Sequence, residues 1–286
     1  MLNNKTKKQN RRNESSSPSN KKTKKGIKRS FTIAKMESNG NTIIPEYKIL
    51  DGPAFAKVNF KLDKGDTIYA NAGAMSYMDK SVAIKTETRG FFKGLVRGLF
   101  TSQSMFLTGY TGTKSNTQIS FASHLSGDIM PMIIKPGEKY TLSSRSVICM
   151  TKNIKLNTIT KWRGMFAGEN VFLTEAEVDV DSNTFGMIWI ASYGGSEKLD
   201  IKSGQIMSID NGMFLASPSY VNYTLGTVGG VKSFFFSGEG FVMDFTGPCS
   251  VYVQGRNYNE FIRTIRRYSA AGNNRGSSNS GFQIKI

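Results

Sequence analysis

The stretch FKLDKGD (Phe60–Asp66) recurs twice further along the chain, as MIIKPGE (Met132–Glu138) and LDIKSGQ (Leu199–Gln205). Each copy places two apolar side chains five and three residues before a glycine. Apolar residues two apart lie on one face of a β-strand, and a glycine after them is typical of a tight turn. The glycines Gly65 and Gly137 are 72 residues apart, and Gly204 follows 67 residues later. This spacing predicts three tandem β repeats of about seventy residues.

The apolar pattern continues beyond each glycine. In the first repeat, apolar side chains follow Gly65 after ten, seventeen and nineteen residues, and the other repeats share these offsets. A further strand then returns in every repeat, at Met105–Leu107, Val171–Leu173 and Phe241–Met243. Short alternating runs rich in Val, Ile, Phe, Tyr and Thr, separated by Gly, Asn or Asp, predict an all-β sandwich or barrel.

The ends of the chain differ from this body. Residues 1–40 are basic and poor in apolar side chains, so we expect a disordered tail, and the three-repeat domain occupies 41–258. Its repeats span about 45–127, 128–196 and 197–256. Residues 257–286 are predicted to form a short helix and a disordered tail. The helix, over 257–268, has Phe261, Ile262, Ile265 and Tyr268 on one face, which we expect to cap an open end of the β body while the arginines face water.

Several motifs of the body resemble the altered-inheritance-of-mitochondria protein 24 family. They lie over roughly 45–260, in this order: Gly65-Asp66 with Ala74-Met75 and Met78, the loop Phe91–Phe100, Gly127-Asp-Ile with Pro131, the stretch Gly229–Gly240, Phe245-Thr-Gly-Pro248, and Val253-Gln254. The resemblance implies a three-repeat fold similar to the tryptophan RNA-binding attenuator protein, with pseudo-threefold symmetry. It also implies a mitochondrial-inheritance family that is uncharacterised in mechanism and has no established catalytic residues.

The net charge of +17 is concentrated at the two ends. Residues 1–30 carry eleven basic side chains and one acidic side chain, a net charge of +10. Residues 256–286 carry six basic side chains and one acidic side chain, a net charge of +5. The body between them has a net charge of only +2. Any binding of polyanions is therefore expected at the ends of the chain.

Composition argues against an enzyme. Cys149, Cys249 and His124 are the only cysteine and histidine residues, so a Cys/His zinc site lacks ligands, and no nucleophile elbow or phosphate-binding glycine loop occurs. We expect no catalytic residue, no cofactor and no metal. A small-ligand site on the pseudo-threefold axis stays open as an alternative, although no convergent set of polar residues indicates one.

The segment before the returning strand of each repeat joins large apolar side chains to basic ones. If the repeats surround a threefold axis, these segments emerge on one rim, suited to a protein partner or a membrane surface. The alternative is that their aromatic side chains fold under the sheet edges as a second small core. We call this candidate surface the docking rim; its residues are Phe91, Phe92, Lys93, Leu95, Arg97, Phe100, Trp162, Arg163, Phe166, Lys232, Phe234 and Phe235.

The N-terminal tail is a second candidate. Its pattern resembles a bipartite nuclear-import signal and would attract nucleic acid or another polyanion; the alternative is a solvated extension. The residues concerned are Arg11, Arg12, Lys21, Lys22, Lys24 and Lys25.

These features favour a non-enzymatic interaction or scaffold protein that docks on a partner or membrane surface. The first alternative is a nucleic-acid-associated protein that uses the tail, with the body as an oligomerising carrier, and a homo-oligomer is possible in either case. The start of the chain lacks an apolar signal segment and no run is long enough to cross a membrane, so we expect an intracellular protein. Nuclear, mitochondrial and cytoplasmic sites stay open.

Overall fold

The chain forms an all-β protein of twenty-two strands and one helix over the residues that the structure, a computed structural model, describes: 29–38, 41–52, 54–85, 107–159, 173–227 and 241–273. The all-β class and the short C-terminal helix were predicted from the sequence, and both are confirmed. No helix among these residues combines the length and the apolar character needed to cross a membrane.

Strands appear before the first repeat, inside the region predicted to be a disordered tail. Phe31 and Ile33 alternate with polar residues, and their strand pairs with the strand that leads into the first repeat. Ile33 packs against the core, which explains why residues 29–38 are ordered here. The strands inside the predicted tail are β1 (Arg29–Ile33) and β2 (Met36–Ser38). They are followed by β3 (Asn41–Ile44) and β4 (Glu46–Gly52), which lie in the predicted domain.

Each repeat then contributes six strands in the same order. The first repeat has β5 (Lys57–Leu62), β6 (Thr67–Asn71), β7 (Met75–Met78), β8 (Val82–Lys85), β9 (Leu107–Gly112) and β10 (Thr117–Ala122). The second has β11 (Ile129–Ile134), β12 (Lys139–Ser143), β13 (Val147–Thr151), β14 (Lys155–Ile159), β15 (Leu173–Glu177) and β16 (Gly186–Ala191). The third has β17 (Ser196–Ile201), β18 (Ile206–Asp210), β19 (Phe214–Pro218), β20 (Tyr223–Thr227), β21 (Phe241–Thr246) and β22 (Cys249–Gln254).

The glycine that marks each repeat lies in the turn between its first two strands. Gly65, Gly137 and Gly204 have φ angles of +93°, +78° and +77°, a left-handed conformation that glycine adopts without steric cost. Within each repeat the first strand pairs with the sixth, the sixth with the third, the second with the fifth, and the fifth with the fourth. The repeats inferred from the glycine spacing are therefore equivalent in topology.

Two details differ between the repeats. Arg145 replaces the glycines Gly73 and Gly212, and the chain there forms a 3-10 turn, Ser144–Ser146, which needs no positive φ. The returning strand of the third repeat is shifted by one residue from the match predicted from the sequence, which set Met243 beside Leu107 and Leu173. In the structure, Val242 occupies that register position.

Neighbouring repeats share sheets. β6 pairs with β13, which joins the first repeat to the second, and β12 pairs with β19, which joins the second to the third. The result is four main sheets, whose strand orders are β1-β4-β5-β10-β7 (sheet I), β11-β16-β13-β6-β9-β8 (sheet II), β14-β15-β12-β19-β22-β17 (sheet III) and β18-β21-β20 (sheet IV).

Three hydrophobic cores fill the spaces between these sheets. The first, around Phe60, Phe121 and Trp189, lies between sheets I and II. The second, around Ile134 and Leu142, lies between sheets II and III, and the third, around Phe214 and Phe245, lies between sheets III and IV. Because sheets II and III each contribute to two cores, the three repeats pack as one body.

The third pairing of this kind, between β18 and β7, is not formed among the described strands. Every residue of β13 is buried, whereas Met75 and Tyr77 of β7 are 37% and 44% exposed. On the other side, Ile206 of β18 is 66% exposed. In the described part of the chain, both strands therefore have one free edge.

The helix α1 (Tyr258–Asn273) is longer than predicted and extends past the expected end of the helical pattern at Tyr268. It begins directly after the last strand of the third repeat.

Candidate docking surface

The start of α1 is fixed to the β body by its cap. Asn257 accepts hydrogen bonds through Oδ1 from the backbone N–H groups of Asn259 (2.9 Å) and Glu260 (3.4 Å), as an N-cap residue does. Its Nδ2 donates to Asp210 Oδ1 in β18 at 2.9 Å. Gly212 allows this contact, because a Cβ atom there would lie 2.4–2.5 Å from the amide of Asn257.

Further contacts hold the first turns of the helix. The Arg145 guanidinium lies 5.8 Å from the centroid of the Tyr258 ring and donates to Asn259 Oδ1 at 3.3 Å. The ring of Phe261 lies 5.7 Å from that of Tyr193. All of these contacts reach α1 near its N-terminus.

Beyond Arg263 the helix is exposed on every side as far as Ser269. Ile265 is 45% exposed and Tyr268 is 77% exposed, and even Phe261 remains 44% exposed beside Tyr193. The sequence predicted that this apolar face caps the β body, and that prediction is wrong for most of its length. The cap at Asn257 and the contacts of Arg145 hold only the first turns. From Thr264 to Ser269, the described residues of the body leave the helix exposed.

The exposed helix has two chemically distinct faces. At 100° per residue, Phe261, Ile265 and Tyr268 lie within about 60° of one another, whereas Arg266 and Arg267 lie on the other side. Glu260 pairs with Arg263 within the helix. We call the set Phe261, Ile265, Tyr268, Arg266 and Arg267 the helical docking surface.

All twelve docking-rim residues predicted from the sequence lie outside the described residues. The structure describes where their segments begin and end: 86–106 connects β8 to β9, 160–172 connects β14 to β15, and 228–240 connects β20 to β21. Each of these pairs is an antiparallel ladder, so each segment closes a hairpin at an equivalent place in its repeat. The six candidate tail residues, between Arg11 and Lys25, also lie outside the described residues.

In the described part of the chain, the shifted pKa values all move further from pH 7: those of carboxylates are lowered, and those of Lys, Tyr and Cys side chains are raised. The carboxylate of Glu177 lies 2.5 Å from Lys139, and the hydrogen bond between them lowers the pKa of Glu177 and raises that of Lys139. Similar pairs shift Asp63 and Asp200 downward and their partners Lys35 and Lys198 upward in pKa. Ion pairing of this kind stabilises charged forms and does not prepare an acid or base for work near pH 7.

The scarce cysteine and histidine side chains are separated. Cys149 is buried in the first core, where desolvation raises the pKa of its thiol well above the usual value. His124 is exposed and lies over the turn at Gly73, where an added Cβ would come within 3.1 Å of its Nε2. Over the described ranges, no three His, Cys, Asp or Glu residues are grouped in a way that would bind a metal ion.

The fold and this surface define a class: an all-β protein built from three six-strand repeats, with an amphipathic helix attached at the end of the third. The model of the family described as Mitochondrial biogenesis AIM24 matches residues 47–256, and the chain belongs to this family. The match covers the three repeats and ends just before α1.

Two relatives are both from Streptococcus pyogenes. An uncharacterized protein of serotype M6 is 25% identical over 233 residues, which cover 77% of this chain and 89% of that protein. A protein with an X-ray crystal structure has a TM-score of 0.63 at 22% identity, over 78% of this chain and 98% of that one. This second likeness supports the fold of the repeats.

Proposed function

We propose that the protein is a non-enzymatic interaction protein that docks on an anionic membrane surface through the helical docking surface. The observation that carries the proposal is the exposure of Phe261, Ile265 and Tyr268 on one face of a helix whose other side carries arginines. A polar exposed helix with an apolar stripe and a basic face is the usual form of a helix that lies in a membrane interface.

The energetics favour this occupant. Burial of a Phe or Ile side chain contributes about 1.5–3 kcal/mol, and the water-exposed apolar face gains this on entry into the acyl boundary. Each arginine near an anionic leaflet adds about 1 kcal/mol. The segment 256–269 contains one acidic residue, Glu260, and four arginines: Arg256, Arg263, Arg266 and Arg267. Its net positive charge is complementary to anionic head groups.

The attachment of the helix also suits docking. Asn257 and Arg145 fix the first turns, and the rest of α1 is left free to meet a surface without unfolding the body. The membership in a family described by mitochondrial biogenesis is compatible with work at a membrane. The docking rim would enlarge the same function if its apolar side chains are exposed, and it stays a prediction.

The non-enzymatic part of the proposal is supported by the chemistry of the described side chains. Their shifted pKa values belong to ion pairs and buried Tyr and Cys side chains. None of these arrangements places a nucleophile beside a base.

Vesicle co-sedimentation tests the proposal. The wild-type protein is expected to bind vesicles of phosphatidylcholine with about a third phosphatidylserine, and to bind pure phosphatidylcholine vesicles weakly. The variant Phe261→Ser/Ile265→Ser/Tyr268→Ser should bind at least about ten-fold more weakly, because it loses the apolar insertion. Arg266→Gln/Arg267→Gln should lose much of the preference for anionic vesicles.

Matched controls distinguish binding by this surface from nonspecific adsorption of exposed aromatic side chains to vesicles. Phe55 and Tyr220 are 70% and 79% exposed and lie in the body away from α1 in sequence. The variant Phe55→Ser/Tyr220→Ser should bind vesicles like the wild type. Equal losses in both sets of variants, or a wild type that ignores anionic vesicles, would overturn the membrane proposal, and binding by a protein partner would then be the outcome.

A further inference from the structure

The two junctions between repeats use one and the same register. Between the first two repeats, Ala70 pairs with Cys149 and Tyr69 pairs with Met150. Ala70 and Tyr69 follow Gly65 by five and four residues, and Cys149 and Met150 follow Gly137 by twelve and thirteen. Between the second and third repeats, Leu142 and Thr141 pair with Ala216 and Ser217 at the same offsets. The junction is therefore a repeated backbone ladder and not an accident of one pair of strands.

Applying these offsets to the unpaired edges of β7 and β18 defines a third ladder. Ile209 would lie opposite Tyr77, Ser208 opposite Met78, and Met207 opposite Asp79, with the strands antiparallel. The free edge of β7 is oriented for this. The N–H of Asp79 donates to Gln118 O in β10 at 2.9 Å, so the backbone groups of Met78 point to the other side, away from β10.

The side chains on the two faces also match this register. In each formed junction, the residue pair at offsets five and twelve packs over a core: Ala70 and Cys149 belong to the first, Leu142 and Ala216 to the second. Ile209 belongs to the third core, and Tyr77 is exposed on the outer face of sheet I, where its hydroxyl accepts a hydrogen bond from Asn59. The third ladder would place the Tyr77 ring over the third core.

We propose that β7 of one copy pairs with β18 of a second copy in this register, so that the chain associates head to tail through its free sheet edges. Within one chain the two strands lie in different sheets and do not pair, and both are exposed. The strands equivalent to β7 in the other repeats, β13 and β19, pair with β6 and β12, which are the strands equivalent to β18. Because the two edges differ, the contact is heterologous. An open assembly therefore keeps one free β7 edge at one end and one free β18 edge at the other, until a ring closes.

The chemistry of the faces indicates a reversible contact. Trp189 of β16 and Tyr252 of β22, which pack beside the formed junctions, correspond to Ser120 of β10 at the free edge. Ser120 is buried, and its hydroxyl has no hydrogen-bond partner among the residues that the structure describes. Backbone hydrogen bonds and the Tyr77 ring would supply most of the contact, without the large apolar area of an obligate interface.

Cysteine cross-linking between separate chains tests the register. A Met78→Cys chain is mixed with a Ser208→Cys chain, both in a Cys249→Ser background, and oxidised mildly. Opposed residues of an antiparallel ladder have Cα atoms roughly 4.5–5.5 Å apart, within the range that a disulfide bridges. We expect a disulfide-linked dimer that a reductant separates.

The matched control replaces Tyr77 by Cys instead of Met78, because neighbouring residues of a strand point to opposite faces. When the Tyr77→Cys chain is mixed with the Ser208→Cys chain, the yield of cross-linked dimer should be at least about ten-fold lower than with Met78→Cys. The pair Asp79→Cys and Met207→Cys provides a second test in the same register should Met78→Cys fail to fold.

Three results would overturn the proposal. One is the absence of cross-linked dimer with both register pairs; another is cross-linking of the Tyr77→Cys control to the same extent. The third is an intrachain disulfide in a Met78→Cys/Ser208→Cys double variant that stays monomeric, which would mean that the ladder closes within one chain. These experiments contain no vesicles, so they are independent of membrane docking.

Discussion

Asn257 connects the β body to the surface that we assign to docking. Its side chain satisfies two N–H groups of the first turn of α1 and also donates to Asp210. Loss of an N-cap costs about 1 kcal/mol, which corresponds to a roughly five-fold change in an equilibrium constant.

The substitution Asn257→Ala should therefore loosen the start of α1 more than the body. We expect about five-fold faster hydrogen exchange of the amides in Asn259–Arg263, with little change in β22. The variant Thr264→Ala is the control, since Thr264 is exposed in the same helix. Unchanged exchange in the first turn would contradict the role of the cap.

Tyr47 gives a test of burial at high pH. It lies in the first core against Trp189, with ring centroids 5.0 Å apart, and desolvation raises its pKa from 10.0 to about 12. The folded state then retains the phenolic proton where the unfolded chain loses it, so stability falls as pH rises from about 10 to about 12.

In the variant Tyr47→Phe this contribution is absent, because no proton can be lost at that position. We expect the free energy of unfolding, measured by urea denaturation at pH values from 9 to 12, to fall less steeply in the variant than in the wild type. Parallel curves would show that the Tyr47 hydroxyl is not desolvated.

Among the elements, the linker between the first and second repeats is tightly packed. Gly127 forms an isolated bridge with Gly194, and a Cβ on Gly127 would lie 1.8 Å from the carbonyl oxygen of Ser192. No side chain fits without a backbone shift there. Gly195, in the next linker, has no atom within 4 Å of the position of a Cβ.

Gly127→Ala should therefore destabilise the protein by about 2–4 kcal/mol, while Gly195→Ala should change the free energy of unfolding by less than about 0.5 kcal/mol. Both are measured by chemical denaturation. Equal effects of the two substitutions would contradict the close packing of the first linker.

The strands within a repeat follow from the sequence because their apolar spacing and glycine turns are local signals. Phe60, Leu62 and Val82 are buried as their offsets predict. Met75 and Ile84 are 37% and 51% exposed although they occupy equivalent apolar positions. Burial at the Met75 position depends on the neighbouring repeat, and β7 pairs with none among the described strands. Ile84 lies in β8, an edge strand of sheet II.

The free edge did leave a signal in the sequence. Ser120 stands where Trp189 and Tyr252 stand in the other repeats, so the first repeat lacks the large side chain that packs on a preceding repeat. The exposure of α1 left no such signal, because an amphipathic pattern is the same for a helix on a core and for a helix at a membrane.

At the scale of the whole molecule, basic charge lies at both ends of a nearly neutral body. Residues 1–30 have a net charge of +10, and residues 256–286 have a net charge of +5 beside the exposed face of α1. Both ends would attract anions, but only the second is joined to apolar side chains that can anchor it.

The two ends should therefore differ in their ligands. Replacement of Lys21, Lys22, Lys24 and Lys25 by Gln should weaken salt-sensitive binding of RNA or DNA, and leave the binding of anionic vesicles within about two-fold. Filter binding and co-sedimentation at two salt concentrations measure the two activities. Loss of vesicle binding in this variant would move the docking function from α1 to the tail.

The most direct measurement of membrane docking places an environment-sensitive fluorophore on the apolar face of α1. Tyr268→Cys in a Cys249→Ser background carries the label, and Arg263→Cys, about 200° around the helix from Phe261, carries it on the polar side as a control. We predict that vesicles containing phosphatidylserine shift the emission of the label at position 268 to the blue and leave the emission of the label at position 263 unchanged. No shift at position 268, or the same shift at both positions, would contradict the insertion of this face into the membrane.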